Sequence, residues 1–247
     1  MRTGIAAASY HGPTPAAETI ARCDALLEDG SAGRLAGSYV ALYRAGARAM
    51  TGAFDAARQE ADDARAVAEE LEAATFGRDY GQVRGAIEVL AGDPAAAESV
   101  YRTTLAALVE RGETAYAAHR AAELASVLYD LGRFEEAAAH VRRSRSLAID
   151  DDLPTRFLRA SVEAKLAARD GDLDAALELA REAAALAGAT DALNQRAQVG
   201  LDLATVLRAP GREGEAIAAE EEARRLLEAK GNVAALARIH RGDTPRT

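Results

Sequence analysis

Apolar residues recur along this chain at spacings of three and four. Between Ala118 and Leu131 the stripe is Ala121, Leu124, Ala125, Leu128 and Leu131, which places these side chains on one face of an α-helix. Gly132 interrupts the pattern, and a second stripe begins at once. From Phe134 to Ile149 it puts Ala137, Ala138, Val141 and Leu147 inward and Arg142, Arg143 and Arg145 mostly outward. Two amphipathic helices joined at a glycine predict an antiparallel hairpin. The unit then repeats: Gly12, Gly52, Gly92, Gly132, Gly171 and Gly211 stand about 40 residues apart, and Ala17, Ala57, Ala97, Ala137, Ala176 and Ala216 each follow by five.

Two more columns keep the same phase. Seven positions beyond each alanine come Asp24, Ala64, Thr104, Ser144, Ala183 and Ala223, and seven before each glycine come Ile5, Ala45, Gly85, Ala125, Ala164 and Ala204. Small side chains at three fixed phases predict helix pairs that cross closely. Asp93-Pro94 and Asp172 supply helix-start chemistry, and Asp55 and Glu135 suit the positive helix start. Gly30, Gly112, Gly188, Gly231-Asn232 and Asp150 to Pro154 mark the joints between hairpins. The prediction is an all-α solenoid forming a single superhelical domain over 1–247, with about six hairpins and a short C-terminal capping helix near 232–240. Its first hairpin is incomplete, because only about ten residues precede the Gly12 turn.

The segments Leu131-Gly132-Arg133-Phe134-Glu135-Glu136-Ala137 and Gly171-Asp172-Leu173-Asp174-Ala175-Ala176 resemble the tetratricopeptide repeat (TPR). The resemblance spans nearly the whole chain. It implies a right-handed α-solenoid of TPR-like antiparallel hairpins whose first helices line a concave groove for a protein or peptide. The period departs from the family's, being about 40 rather than 34, so longer helices or wider joints are expected. Leu90-Ala91-Gly92-Asp93-Pro94-Ala95-Ala96-Ala97-Glu98, Arg181 to Ala187 and Glu228-Ala229-Lys230-Gly231-Asn232 resemble the C-terminal TPR arrays of large bacterial signalling regulators. In those regulators the array follows an AAA-type or STAND-type ATPase, often with a class III nucleotide cyclase or a transcription-factor domain. The resemblance implies a module of signal transduction or transcriptional regulation, either an excised array or a stand-alone relative.

Composition narrows the picture. Hydrophobic residues make up 49% and charged residues 28%, while aromatics are 4% and tryptophan is absent, so the core must rest on Ala, Leu and Val. A net charge of -9 and a pI near 5.1 disfavour nucleic acid and anionic membranes as partners. Cys23 is alone and cannot form an intramolecular disulfide, which suggests a reduced, cytoplasmic setting. Met1 to Tyr10 is too short and too weakly apolar for a signal peptide, and no run approaches a membrane span. Lysine occurs only at Lys165 and Lys230, and this bias toward arginine, with the Ala and Gly content, suggests a GC-rich bacterial genome.

Catalytic constellations are absent from the sequence. There is no phosphate loop ending in Gly-Lys-Ser/Thr, no His-Glu-x-x-His, no cysteine pair and no Gly-x-Ser-x-Gly. His11, His119, His140 and His240 lack ligand spacing. Asp170, Asp172 and Asp174 alternate like a calcium loop, but Ala175 and Arg181 stand where glycine and glutamate are required. Asp150-Asp151-Asp152 reads as a solvated joint, and Glu220-Glu221-Glu222 before Arg224-Arg225 as an exposed helix face. No catalytic residue, metal or cofactor is expected, and the chain is not read as an enzyme.

Function then falls to the first helices. Family members that clamp a terminal carboxylate need Lys and Asn in columns where only Lys165 fits here, which disfavours that mode. Tyrosines lean to the first helices, at Tyr39, Tyr43, Tyr80, Tyr116 and Tyr129, and tyrosine offers rigid contact area with a hydroxyl. These five with Gln82, His119, Glu123, Lys165 and Gln198 form the expected partner groove, which requires at least two of the tyrosines to be exposed. Self-association is the second class, giving a homodimer through the solenoid ends with Val233 to Ile239 capping the last hairpin or docking on another chain. Ligand sensing for a larger regulator is a further alternative.

Overall fold

In the computed structural model, residues 2–29, 33–148 and 152–241 are described. Among them thirteen α-helices follow one another and no strand occurs. They are α1 (Arg2–His11), α2 (Ala16–Glu28), α3 (Arg34–Met50), α4 (Phe54–Glu70), α5 (Phe76–Ala91), α6 (Pro94–Glu110) and α7 (Thr114–Asp130). The rest are α8 (Phe134–Leu147), α9 (Leu153–Arg169), α10 (Leu173–Gly188), α11 (Leu193–Arg208), α12 (Glu213–Lys230) and α13 (Val233–Arg241). The chain is an all-α helical-repeat protein. The long period follows from helix length: α3 and α4 each take 17 residues, so the helices alone use 34 and the turns supply the remainder. The expected joints at Gly30 and at Asp150 and Asp151 lie outside the described residues.

The turns are set by backbone chemistry. Gly132 has φ of 73°, its amide bonds Tyr129 O at 2.9 Å, and the Arg133 amide reaches back to Leu128 O at 2.9 Å. This pair of bonds satisfies the last carbonyls of α7 and needs a left-handed residue, which glycine adopts without steric cost. Gly52, Gly92, Gly171 and Gly211 repeat it, and so do Gly112 and Gly231 at two of the expected joints. Gly12 is not among the left-handed residues. The first repeat is accordingly shifted: Ala6, Ala16 and Cys23 are fully buried there, whereas Ile5 and Ala17 are exposed and Asp24 is half-buried. Ala6 and Ala16 are ten residues apart where Ala45 and Ala57 are twelve, so the turn is tighter. Elsewhere the expectation holds, and Ala57, Ala97, Ala137, Ala176 and Ala216 are all 0% exposed.

The chain read above as one superhelical domain packs as two compact units, Met1–Val100 with Leu227–Gly242 and a second built on Tyr101–Leu226. In the first, α3 lies between α1 and α5, α2 packs on α3, and α4 packs on α3 and α5. Tyr10, Leu42, Met50, Phe76, Val83 and Ile87 join the small residues in its core. In the second, α9 lies between α7 and α11, α8 packs on α7, and α10 packs on α9 and α11. Phe157 meets Ala183, Ala187 and Val199, while Val141 and Val162 meet at Ala125.

The C-terminal segment belongs to the first unit. Helix α13 lies against α3 and α5, and Arg238 donates to Val89 O at 2.6 Å. Lys230, at the end of α12, is 0% exposed, and its ammonium donates to Ser9 O at 3.0 Å, Gly12 O at 2.8 Å and Thr14 O at 2.7 Å. These carbonyls surround the tight α1–α2 turn. A compact ammonium can point its hydrogens at three diverging acceptors, which the planar guanidinium fork does not match.

Two outcomes are expected. Glu72 holds φ of 53° in a turn where other repeats use glycine. Glu72→Gly relieves a left-handed cost of about 1–2 kcal/mol against an entropy loss of about 0.5–1, so urea unfolding should show a gain of about 1 kcal/mol or less. Lys230→Met strands the carbonyls it serves, though Thr19 Oγ1 still donates to Ser9 O. A loss of about 3 kcal/mol is expected in the same measurement.

Candidate functional site

Four of the ten expected groove residues lie in the first unit and six in the second. In the first, Tyr43 is 5% exposed, lies with its ring 5.7 Å from that of Tyr10 at a tilt of 39°, and donates to Asp79 Oδ1 at 3.0 Å. Tyr39 is half-buried, edge-on to Phe76 at 4.8 Å and 3.4 Å from Thr75 Oγ1. Tyr80 reaches the other way, donating to Asp62 of α4 at 2.7 Å. Gln82 is half-buried on α5. These tyrosines join neighbouring helices; they do not form an open aromatic surface.

The second unit gathers the remaining six on α7, α9 and α11. Tyr116, His119 and Glu123 follow one stripe of α7, spaced by three and four. Tyr116 is 47% exposed and Gln198 of α11 is exposed, with Leu158 of α9 half-buried. Tyr129, at the opposite end of α7, is 4% exposed. Of the five tyrosines only Tyr116 is exposed, so the expected aromatic groove is corrected: an alanine-rich core needs bulky fillers, and four of the five tyrosines serve there in whole or part.

Two polar networks tie these three helices together. In the first, Lys165 Nζ lies 2.9 Å from Asp202 Oδ1, Ser161 Oγ donates to Asp202 Oδ2 at 2.7 Å, and Gln198 Nε2 reaches Oδ1 at 3.3 Å. The ammonium also lies 4.7 Å from the centre of the Tyr129 ring. Lys165 is 2% and Asp202 5% exposed, so this is a buried ion pair with its remaining acceptor capacity used. Burial alone would push the lysine down, but the Asp202 and Asp130 carboxylates prevail and hold it above the usual value.

The second network begins at Thr155 of α9, 2% exposed, whose hydroxyl donates to Asp152 Oδ2. With that hydrogen committed, Thr155 Oγ1 accepts from His119 Nδ1 at 3.0 Å. His119 Nε2 faces Glu123 Oε1 at 3.6 Å, Arg120 pairs with the other oxygen of Glu123, and the Arg120 guanidinium lies 5.2 Å from the Tyr101 ring centre. Hydroxyl, imidazole and carboxylate stand in the order of a nucleophile relay. The hydroxyl is buried and donates to a carboxylate, so it is not offered to a substrate. The arrangement positions the start of α9 on α7.

Sequence columns found Lys165, His119, Glu123 and Gln198 but missed Asp202, Ser161 and Thr155 as their partners. A signal existed: Tyr39 to Thr75, Tyr43 to Asp79 and His119 to Thr155 are each 36 residues apart, one repeat less about one helical turn. Cys23 is fully buried, and burial pushes its thiol up to about 11, which makes it a protonated packing group. Among the described residues no group of three or more His, Cys, Asp or Glu is placed to hold a metal ion. No described helix is long and apolar enough to cross a membrane.

No protein-family model matches the chain, and no curated protein does. Among solved structures it is similar to the crystal structure of BtubC (BKLC) from P. vanneervenii. The TM-score is 0.57 at 20% identity, covering 87% of this chain and 89% of that one. At this identity the likeness is one of fold.

Removing one member of the buried pair strands the other. Asp202→Ala is expected to cost about 3–5 kcal/mol in urea unfolding, whereas Lys165→Met with Asp202→Leu should lie within about 1 kcal/mol of wild type. Because the folded-state lysine value is raised, its contribution is complete below about pH 10.4 and is lost as pH rises through the higher folded value. The difference between wild type and the double variant should therefore be flat through neutrality and change only in strong alkali.

Proposed function

We propose that the chain is a non-catalytic, tetratricopeptide-like scaffold of a regulatory system, binding a protein or peptide on the first-helix face of its second unit. The observation that carries this reading is the graded stripe on α7, α9 and α11. One end is locked by the buried Lys165–Asp202 network with the exposed Gln198 at its rim, and the other presents Tyr116 to solvent with Leu158 half-buried beside His119's helix. A rigid surface with an exposed aromatic and polar groups loses little conformational entropy on binding. The hairpin grammar of 131–137 and 171–176 supports the family likeness, and the charge of -9 supports a partner other than nucleic acid or an anionic membrane. The role in signal transduction or transcription rests on the resemblance of the repeat phrases to regulator arrays.

The test is native capture followed by direct titration with the recovered partner. Tyr116→Ala with Gln198→Ala, both exposed and the second touching the buried pair only through its 3.3 Å bond to Asp202, should weaken binding at least about tenfold while helicity is unchanged. Affinity equal to that of wild type would remove this face from consideration. Tyr129→Ala is unsuitable for the purpose, since that ring packs on Lys165.

A further inference from the structure

The other face of α9 carries an imbalance of charge. Arg156, Arg159 and Glu163 lie on one stripe of α9, with Arg145 of α8 and Glu182 of α10 on either side. Arg145 is bound to Glu163, and Arg156 stands 3.9 Å from Glu182. Among the described residues Arg159 has no hydrogen-bond or ion-pair partner, and its Nη1 is buried without an acceptor. Arg145 and Arg156 each have a carboxylate partner, and Arg159 is the guanidinium of the three left without one. Arg156 and Arg159 also occupy the first two turns of α9, where the helix dipole disfavours cations.

In the first unit the place of Glu163, eight residues before the turn glycine, is held by a cation, Arg44. There Arg44 of α3 meets Asp24 of α2 at 2.5 Å and Glu60 of α4 at 2.5 Å, so carboxylates arrive from both neighbouring second helices. In α9 the signs are reversed, since Glu163 meets Arg145 of α8, and Arg159 one turn earlier is left without an acceptor. Burial, with Arg145 and Arg156 adding to it, holds the Arg159 guanidinium below the usual arginine value, and burial raises Glu163 despite Arg145. A half-buried cation without an acceptor is costly to keep for packing alone.

We propose that Arg159, with Arg156 and Arg145, forms a site for one small oxyanion, a carboxylate or phosphate group, on the face of α9 flanked by Arg145 of α8 and Glu182 of α10. Such an anion supplies the acceptor that Arg159 lacks, and guanidinium forks match the paired oxygens of such groups. The chain's charge of -9 repels a polyanion over about 8–10 Å, whereas a singly charged small molecule meets little of that field. The site is independent of the scaffold reading, because Tyr116 and Gln198 lie on other helices.

The experiment is thermal unfolding of the intact chain near neutral pH and at fixed ionic strength, in chloride, inorganic phosphate and acetate. At about ten times the dissociation constant, the bound anion should raise the wild-type Tm by roughly 3 °C over chloride. A rise in both phosphate and acetate assigns a general oxyanion site, and a rise in phosphate alone assigns a phosphoryl group. Arg159→Met should be more stable than wild type in chloride and lose the increment, and Arg159→Gln should lose the increment as well. Salt exclusion also stabilises proteins in phosphate. An increment that survives in both variants, or equal wild-type Tm in all three salts, overturns the site.

Discussion

Every hairpin of this protein depends on side chains too small to keep two helices apart. Ala57, Ala97, Ala137, Ala176 and Ala216 are wholly buried, and so are Ala45, Ala125, Ala164 and Ala204 on the preceding helices. A methyl group at the crossing sets a short interaxial distance, which brings backbones into dispersion contact but buries little apolar area per residue. Gly46 carries the same demand further: a Cβ there would lie 2.4 Å from the Tyr10 ring. Close crossing gives proximity without specifying how one pair slides along the next.

That register comes from polar contacts between first helices one repeat apart. Tyr43–Asp79, His119–Thr155, Ser161–Asp202 and Lys165–Asp202 each fix a helix against its successor. Hydrogen bonds have direction, whereas an alanine face slides at small cost. Burial makes these contacts specific, because a register shift would leave Lys165 or Asp202 without its partner.

The fold was legible in the sequence because its signals are local: a glycine turn, a methyl column and a helical stripe all lie within one period. The first repeat misled for a local reason too, since Gly12 matches the spacing without taking the left-handed turn, and burial moves to Ala6, Ala16 and Cys23. The candidate site was half legible. Lys165 and His119 stood out by column, but their partners lie in the next repeat, displaced by about one helical turn, and column alignment compares equivalent positions only. Tyrosine content gave no measure of exposure, because a residue that suits an interface also fills gaps between alanines. Arg159 could not be found by sequence, as its meaning lies in which groups fail to meet it.

The Lys230 clasp changes how the chain must be made. Its bonds to Ser9, Gly12 and Thr14 span 221, 218 and 216 residues, so α1 and α2 find this partner only after Tyr101–Leu226 of the second unit has been synthesised. Repeats usually fold by adding each hairpin to its neighbour, with short loops to close. Here the carbonyls of the α1–α2 turn gain their ammonium donor only after the intervening unit is translated. The first unit is thus begun before the second and closed after Tyr101–Leu226 of the second.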